Sequence, residues 1–227
     1  DQPPLERVPV APGAPVLMQV RGIAKHFGGV YALDDVSFDV REGEILGVIG
    51  PNGSGKSTMI NVCSGIIRPD AGNITLGGAD LTRLPAWHIH GRGVARIFQN
   101  VRLWESMTVL ENVMLAWRDP AGRHDEAAAR AAALEALDSM GIAFLAQRRA
   151  GDLSFGQSRL VELARATVTR PRLLLLDEPA AGLRGGLVME LAGILQRLRA
   201  AGTTVLVVEH RIKLVMAMCA RGGALNV

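Results

Sequence analysis

The stretch Glu44-Ile45-Leu46-Gly47-Val48-Ile49-Gly50-Pro51-Asn52-Gly53-Ser54-Gly55-Lys56-Ser57-Thr58 decides the fold. Glu44 to Gly50 is a nearly continuous apolar run ending in glycine, the mark of a strand buried on both faces. Gly50 to Ser57 then fits G-x-x-x-x-G-K-[ST], and a helix is expected from Lys56 to Ser64. Strand, glycine-rich loop and helix in that order make a phosphate-binding loop. Its glycines let the N–H groups of Gly50, Asn52, Gly53, Ser54 and Gly55 turn around phosphate oxygens at a helix N-terminus, while Pro51, which has no N–H, contributes shape only. Lys56 adds a full charge at the outer phosphates, Ser57 offers a hydroxyl to Mg²⁺, and Thr58 completes the set.

Composition bounds the reading from outside this stretch. Of 227 residues, 48% are hydrophobic and 21% charged, enough for the core of one domain, or one with an inserted subdomain, and too apolar for a disordered chain. The longest clean apolar runs, Leu173 to Leu176 and Val205 to Val208, fall far short of the roughly 20 residues of a membrane-spanning helix. Net charge is +3, but the lysines are only Lys25, Lys56 and Lys213 and the arginines are scattered, so no nucleic-acid partner is expected. Cys63 and Cys219 lack disulfide-framework or metal-ligand spacing, which fits a reducing, cytosolic compartment.

Residues 1–15 carry Pro3, Pro4, Pro9, Pro12 and Pro15 and are expected to form an extended linker, the tether of a piece cut from a longer polypeptide. The domain is expected to run over residues 16–227. Leu17 to Ile23 is apolar-rich, and Val36, Phe38 and Val40 alternate with Ser37 and Asp39, as half-buried antiparallel strands do. A turn over Pro69 to Gly72 and a short strand at Ile74 and Leu76 complete a β-rich edge. Val109 to Trp117 and Asp125 to Met140 read as helices, the second stopped by Gly141, giving an inserted helical subdomain at about 101–168. Buried strands return at Leu173 to Asp177 and Thr203 to Val208, with a helix from about Leu187 to Ala200 between them. The fold class is therefore α/β: a P-loop NTPase (RecA-like) core with an antiparallel β subdomain and an inserted α-helical subdomain.

The strand Leu173 to Leu176 delivers Asp177 and Glu178 at its end, where open α/β sheets bind ligands. Asp177 is placed to hold Mg²⁺ and Glu178 to polarise an attacking water. Two acids after a strand more often cap a helix, and only the phosphate loop reverses that preference. A further segment, Leu153-Ser154-Phe155-Gly156-Gln157, precedes an amphipathic stretch from Arg159 to Thr167, and by itself Ser154 reads as the cap of that helix.

That pentapeptide resembles the LSGGQ-type signature of ATP-binding cassette ATPases, and it stands 23 residues before Asp177. The resemblance covers Leu17 to Asn226. It implies that Phe27 stacks on adenine, that Gln99 is the Q-loop glutamine and that His210 is the switch histidine reaching the γ-phosphate. The runs Ala95 to Asn100, Met107 to Val113 and Val208 to His210 are most similar to the ATPase subunits of branched-chain amino acid importers, and lipopolysaccharide-exporter ATPases are similar too. Without the resemblance, Gln99 reads as a surface glutamine, Phe27 equally as core, and His210 as a satisfied histidine at a strand end.

The resemblance further implies ATP hydrolysis by in-line attack of water. Lys56 and the loop amides would stabilise charge, Ser57, Gln99 and Asp177 would position Mg²⁺, Glu178 would activate water and His210 would hold the γ-phosphate. Two such domains, identical or related, would sandwich two ATP molecules, with Ser154, Gly156 and Gln157 serving the partner's nucleotide. The surface from Val101 to Asn112 would dock a transmembrane permease, separate or fused, at the cytoplasmic face of the inner membrane. Two other classes stay open: an ATP-dependent dimerisation switch without transport, and a GTP switch or small-molecule kinase. Against the latter stand Leu153 to Gln157 and the lack of an Asn-Lys-x-Asp motif. Three positions depart from the family pattern: Arg184 where the D-loop ends in Asp or Asn, Arg211 where importer subunits commonly carry Asp, and the glycine-broken Arg221 to Leu225. The last is expected to leave the final strand poorly formed or cut short. His88 and His90, two apart, do not share a helix face and are set aside as metal ligands, while Trp87, Trp104 and Trp117 read equally as partner groove or as packing.

Overall fold

The computed structural model describes residues 11, 13–119, 125–183, 185–210, 215 and 219, and the backbone of 221–224. β1 (Val16–Phe27) and β2 (Val30–Arg41) pair antiparallel, β3 (Ile45–Ile49) leads into the glycine loop and α1 (Lys56–Cys63), and β4 (Ala71–Leu76) and β5 (Ala79–Asp80) follow. α2 (Ala86–Gly91) and β6 (Val94–Ile97) precede three helices, α3 (Val109–Met114), α4 (Glu126–Ser139) and α5 (Phe155–Thr167). β7 (Leu173–Asp177), α6 (Gly186–Ala200), β8 (Thr204–Glu209) and β9 (Arg221–Ala224) complete the order. One sheet is antiparallel, in the order β2-β1-β4-β5; the other is parallel, in the order β6-β7-β8-β3-β9.

Burial on both faces explains why the strands of the parallel sheet read as unbroken apolar runs. Their side chains still alternate. Leu46, Val48, Leu173, Leu175, Leu206 and Val208 pack with α1 and the antiparallel sheet. Ile45, Leu174, Leu176, Val205 and Val207 pack with the helices, including Leu163 of α5 and Leu191 and Leu195 of α6. Each such side chain stabilises the fold by about 1.5–3 kcal/mol through its removal from water. The same helical core holds Val109, Leu110 and Val113 of α3 and Ala133 and Leu137 of α4.

Local chemistry sets the helix ends. Thr108 and Glu111 form a reciprocal capping box on α3, and the Asp125 carboxylate accepts the Ala128 N–H at 2.8 Å to start α4. α3 ends at Met114, short of Trp117, because Ala116 and Trp117 donate three residues back, to Val113 O and Met114 O, in tight turns. The expected turn over Pro69 to Gly72 gives way to β4, already begun at Ala71, while Asp70 takes the Lys25 ammonium at 2.7 Å and the His26 N–H at 2.9 Å, tying the strand to β1. The final strand corrects the expectation from its glycines: β9 pairs parallel with β3 from Leu46↔Arg221 to Ile49↔Ala224. A ladder needs only backbone groups, and an edge strand pairs on one side. The Ala14 and Pro15 carbonyls accept from Arg41 Nη1 and the Glu42 N–H, each at 2.9 Å. Residues 1–10 and 12 of the proline-rich linker, Arg184, Arg211 and Leu225 lie outside the described residues. No helix among the described residues is long and apolar enough to cross a membrane.

Register positions the chemistry. Ile49 lies beside Glu209, Asp177 beside Val208, and Ile97 beside Leu176. Gly50, Phe98, Glu178 and His210 therefore leave the sheet at one edge, that of the strand C-termini, where open parallel sheets bind ligands.

Candidate functional site

The loop after β3 has one shape available to it. Gly55, the N-cap of α1, has φ +78°, and a Cβ there would lie 2.1 Å from Ala32 O. Only glycine fits both the left-handed backbone and that approach. Lys56 is buried, its ammonium donating to the carbonyls of Gly50 at 2.9 Å and Pro51 at 2.6 Å, which folds the loop over its own lysine. Ser54 is buried as well, its hydroxyl without a hydrogen-bond partner among the described residues, while Pro51, Asn52, Gly53 and Ser57 face solvent.

Two clusters meet at the strand ends. In the first, Ser57 Oγ donates to Asp177 Oδ1 at 3.2 Å, and Arg96 Nη2 donates to Asp177 Oδ2 at 3.3 Å. Burial pushes the Asp177 carboxyl above the usual carboxylate range; Arg96 and the Ser57 hydrogen bond oppose this, and the Glu178 charge adds to it. In the second, Gln99 Nε2 donates to Glu178 Oε2 at 3.1 Å, and His210 Nδ1 stands 3.5 Å from Glu178 Oε1. Glu178 is held by its N–H on Val208 O at 2.9 Å and has φ +46°, which turns the chain sharply at the end of β7. Asp177 and Glu178 are thus set apart by geometry: one is locked against α1, the other accepts from Gln99 and faces His210 Nδ1 at 3.5 Å.

A hydroxyl beside a buried carboxylate is a hard-oxygen donor set. It suits Mg²⁺, which takes one or two carboxylates and fills its shell with water and substrate phosphates. Among the described residues no group of three or more His, Cys, Asp or Glu converges. His90 spends Nδ1 on the Val94 carbonyl at 3.2 Å, and His88 stacks on Trp87.

The remaining sequence candidates stand apart from these clusters. Ser154 and Gln157 form a reciprocal capping box on α5, with Ser154 N–H to Gln157 Oε1 at 3.0 Å and Gln157 N–H to Ser154 Oγ at 3.4 Å, so the capping reading of Ser154 holds. Gly156 is buried, and a Cβ there would lie 2.9 Å from Leu187 Cδ1 of α6. Phe27 ends β1 half exposed, with Lys25 Nζ over its ring, 5.4 Å from the centroid.

Sequence reasoning missed two arginines. Arg159 of α5, 1% exposed, donates to Phe98 O at 2.7 Å, Gln99 O at 2.5 Å and Glu162 Oε2 at 3.0 Å. Glu162 in turn accepts the Arg102 N–H at 2.8 Å, so α5 grips the loop around Gln99 from both sides. The signal was an Arg–Glu pair at i,i+3 on an otherwise apolar helix face. The second is Arg96, whose other nitrogen reaches Asn61 Oδ1 at 2.6 Å and Ser64 Oγ at 2.9 Å.

The model for the family described as "ABC transporter" matches residues 33–181. The high-affinity branched-chain amino acid transport ATP-binding protein BraF of Pseudomonas aeruginosa is 39% identical over 216 residues, 89% of this chain and 85% of that protein. Among solved structures, the ADP conformation of MJ1267, an ATP-binding cassette of an ABC transporter, superposes with a TM-score of 0.85 at 33% identity, covering 92% of this chain and 87% of that one. The dimeric structure of MJ0796, a bacterial ABC transporter cassette, gives a TM-score of 0.81 at 29% identity, covering 92% of this chain and 94% of that one.

Proposed function

This chain belongs to the ABC transporter family as an ATP-hydrolysing cassette, and from that premise we propose that it drives uptake of branched-chain amino acids through a membrane-embedded permease, acting at the cytoplasmic face of the inner membrane. In this reading residues 16–227 are the cassette, and about 101–168 are its helical insertion. The observation that carries its hydrolytic part is the Gln99–Glu178–His210 group standing at the strand ends beside the Lys56 loop, and the 39% identity to BraF supports the substrate class.

Each residue then has a task its position permits. The loop N–H groups and Lys56 bind the phosphates, Lys56 exchanging the Gly50 and Pro51 carbonyls for phosphate oxygens. Ser57 and Asp177 would hold Mg²⁺, and Gln99 would help to position it. When bound, the metal supplies positive charge to the phosphate oxygens as negative charge builds there. Glu178 accepts a proton from the attacking water, oriented by the Gln99 amide, and His210 donates to the γ-phosphate. The exposed Phe27 ring offers a stacking face to adenine. Ser154, Gly156 and Gln157, outside the clusters described, serve the nucleotide of a second cassette across a dimer.

A groove of about 240 Å³ beside the Gln99 loop, lined by Phe98, Trp104, Leu115 and Arg165 among others, is where the permease docks. It adjoins the segment from Val101 to Asn112. Mg-ATP turnover by wild type and Glu178→Gln, with size-exclusion chromatography in ATP, tests the catalytic part: loss of the base lowers turnover by about 100-fold or more and traps an ATP-bound dimer. Equal turnover by the two proteins would remove Glu178 from the mechanism. Leucine uptake by vesicles carrying this chain with a branched-chain amino acid permease tests the substrate class, and uptake independent of ATP or of this chain would refute it.

A further inference from the structure

We propose that Arg96 is a positioning residue that links the permease groove to the metal-side carboxylate, so that nucleotide binding at Asp177 and occupancy of the groove bias one another. The inference rests on the reading of the groove and nucleotide site given above and adds the connection between them.

Arg96 sits on β6, two residues before Phe98 and three before Gln99, with only 9% of its side chain exposed. Its guanidinium faces two ways. On the inner side it donates to Asp177 Oδ2, to Asn61 Oδ1 and to Ser64 Oγ, binding the end of β7 to α1. On the outer side its Cζ lies 4.5 Å from the Phe98 ring centroid, and Arg102 Cζ lies 4.3 Å from the same centroid, so both cations contact one ring. Phe98 and Arg96 both line the groove of about 240 Å³ and also the adjoining hollow of about 200 Å³. Anything seated in the groove thus meets the ring that bears on the guanidinium, and the guanidinium bears directly on Asp177.

The chemistry favours a discrete link over a soft one. A guanidinium is planar, with its donors fixed in a fork, so it cannot tilt to follow Phe98 without changing its grip on Asp177. Lysine would keep the charge on Asp177 but lose the flat face on Phe98. Backbone connection adds a second consequence, since Phe98 O is gripped by Arg159 and the next residue, Gln99, holds Glu178. Coupling of this kind is reciprocal for binding: if the groove senses nucleotide, nucleotide affinity senses the groove.

Trp104 lines the groove and is half exposed, which makes it a reporter that does not depend on turnover. Replacing Trp87 and Trp117 by Phe leaves Trp104 as the single indole. In that background, saturating Mg-ATP, with binding confirmed by calorimetry, is expected to shift Trp104 emission and its acrylamide quenching. Arg96→Met is expected to remove most of that response at saturation, with Arg96→Lys in between. Arg102→Met leaves every hydrogen bond of Arg96 in place and loosens only the outer contact, so it serves if Arg96→Met fails to fold, and it too is expected to diminish the response. A full response in Arg102→Met and in either folded Arg96 variant overturns the inference, as does a wild type that binds Mg-ATP without any response. A wild type that binds no Mg-ATP refutes the nucleotide-site reading itself, and the link falls with it.

Discussion

Arg159→Met removes the guanidinium that joins α5 to the Gln99 loop, and the structure sets what it should cost. Arg159 is 1% exposed and Glu162 3%, so the pair has no solvent to fall back on. Breaking a buried ion pair from one side costs about 3–5 kcal/mol, and two backbone carbonyls, Phe98 O and Gln99 O, lose charge-assisted partners as well. Arg165, 3.7 Å from Glu162, and the Arg102 N–H offset part of this, which places the expectation near the middle of that range. At about 2–4 °C per kcal/mol for a chain of this size, the melting temperature should fall by roughly 8–16 °C. Burial already pushes the Glu162 carboxyl above its ordinary value of 4.5. A carboxyl raised in the folded state binds more protons folded than unfolded, so folding is favoured as pH falls toward the ordinary value, and losing Arg159 enlarges that effect. The deficit of the variant should therefore shrink from pH 8 to pH 5. Thermal melts across that range measure it, and Arg159→Met combined with Glu162→Leu should recover most of the loss. A fall below about 3 °C (roughly 1 kcal/mol), or a double variant no better than the single, would refute the reasoning.

Two further expectations concern the loop and the thiols. Gly55→Ala meets Ala32 O at 2.1 Å and Leu33 Cδ2 at 2.9 Å. With about 1–2 kcal/mol for the left-handed backbone and about 1–3 for overpacking, it should lower the melt and abolish ATP binding by calorimetry, and normal binding would show that the loop is not so constrained. Burial pushes the thiols of Cys63 and Cys219 up to about 12, so at pH 8 only about one in ten thousand is thiolate. Ellman's reagent should find neither in the native protein within minutes and both after unfolding in guanidinium; fast native labelling would contradict their burial.

Legibility followed periodicity and local chemistry. β3, β7 and β8 were readable because burial on two faces leaves an apolar run that few other structures produce, and Asp125 and Gly141 marked the ends of α4 through capping geometry that depends on those residues alone. β6 was not readable as a strand, because four residues after Gly93 carry too little pattern, and Arg96 within it contradicts a buried strand until its partners on α1 and β7 are seen. α2, one and a half turns with polar and aromatic side chains, fails for the same reason of length. β9 was underestimated because glycine content says much about side-chain packing and little about a backbone ladder on an established edge. At the site, the loop and Asp177–Glu178 carried their own chemistry. Gln99, His210 and Phe27 did not: each is an ordinary residue made notable only by neighbours from distant strands, as with Gln99 and His210 on either side of Glu178, and they were found through family likeness.

The backbone at Glu178 has a consequence for how this protein can be improved. A side chain at φ +46° sits where glycine would rest more easily, at a standing cost of about 1–3 kcal/mol. Selection for thermal endurance alone would drift toward glycine or asparagine here and gain stability as it discarded the carboxylate. Stabilised descendants of this sequence obtained without a demand for turnover should therefore accumulate changes at position 178, as they would at Asp35 and Arg170, whose φ values are +47° and +48°. With Glu178 as the base proposed above, a library screened only for heat resistance would be enriched in proteins that no longer hydrolyse ATP.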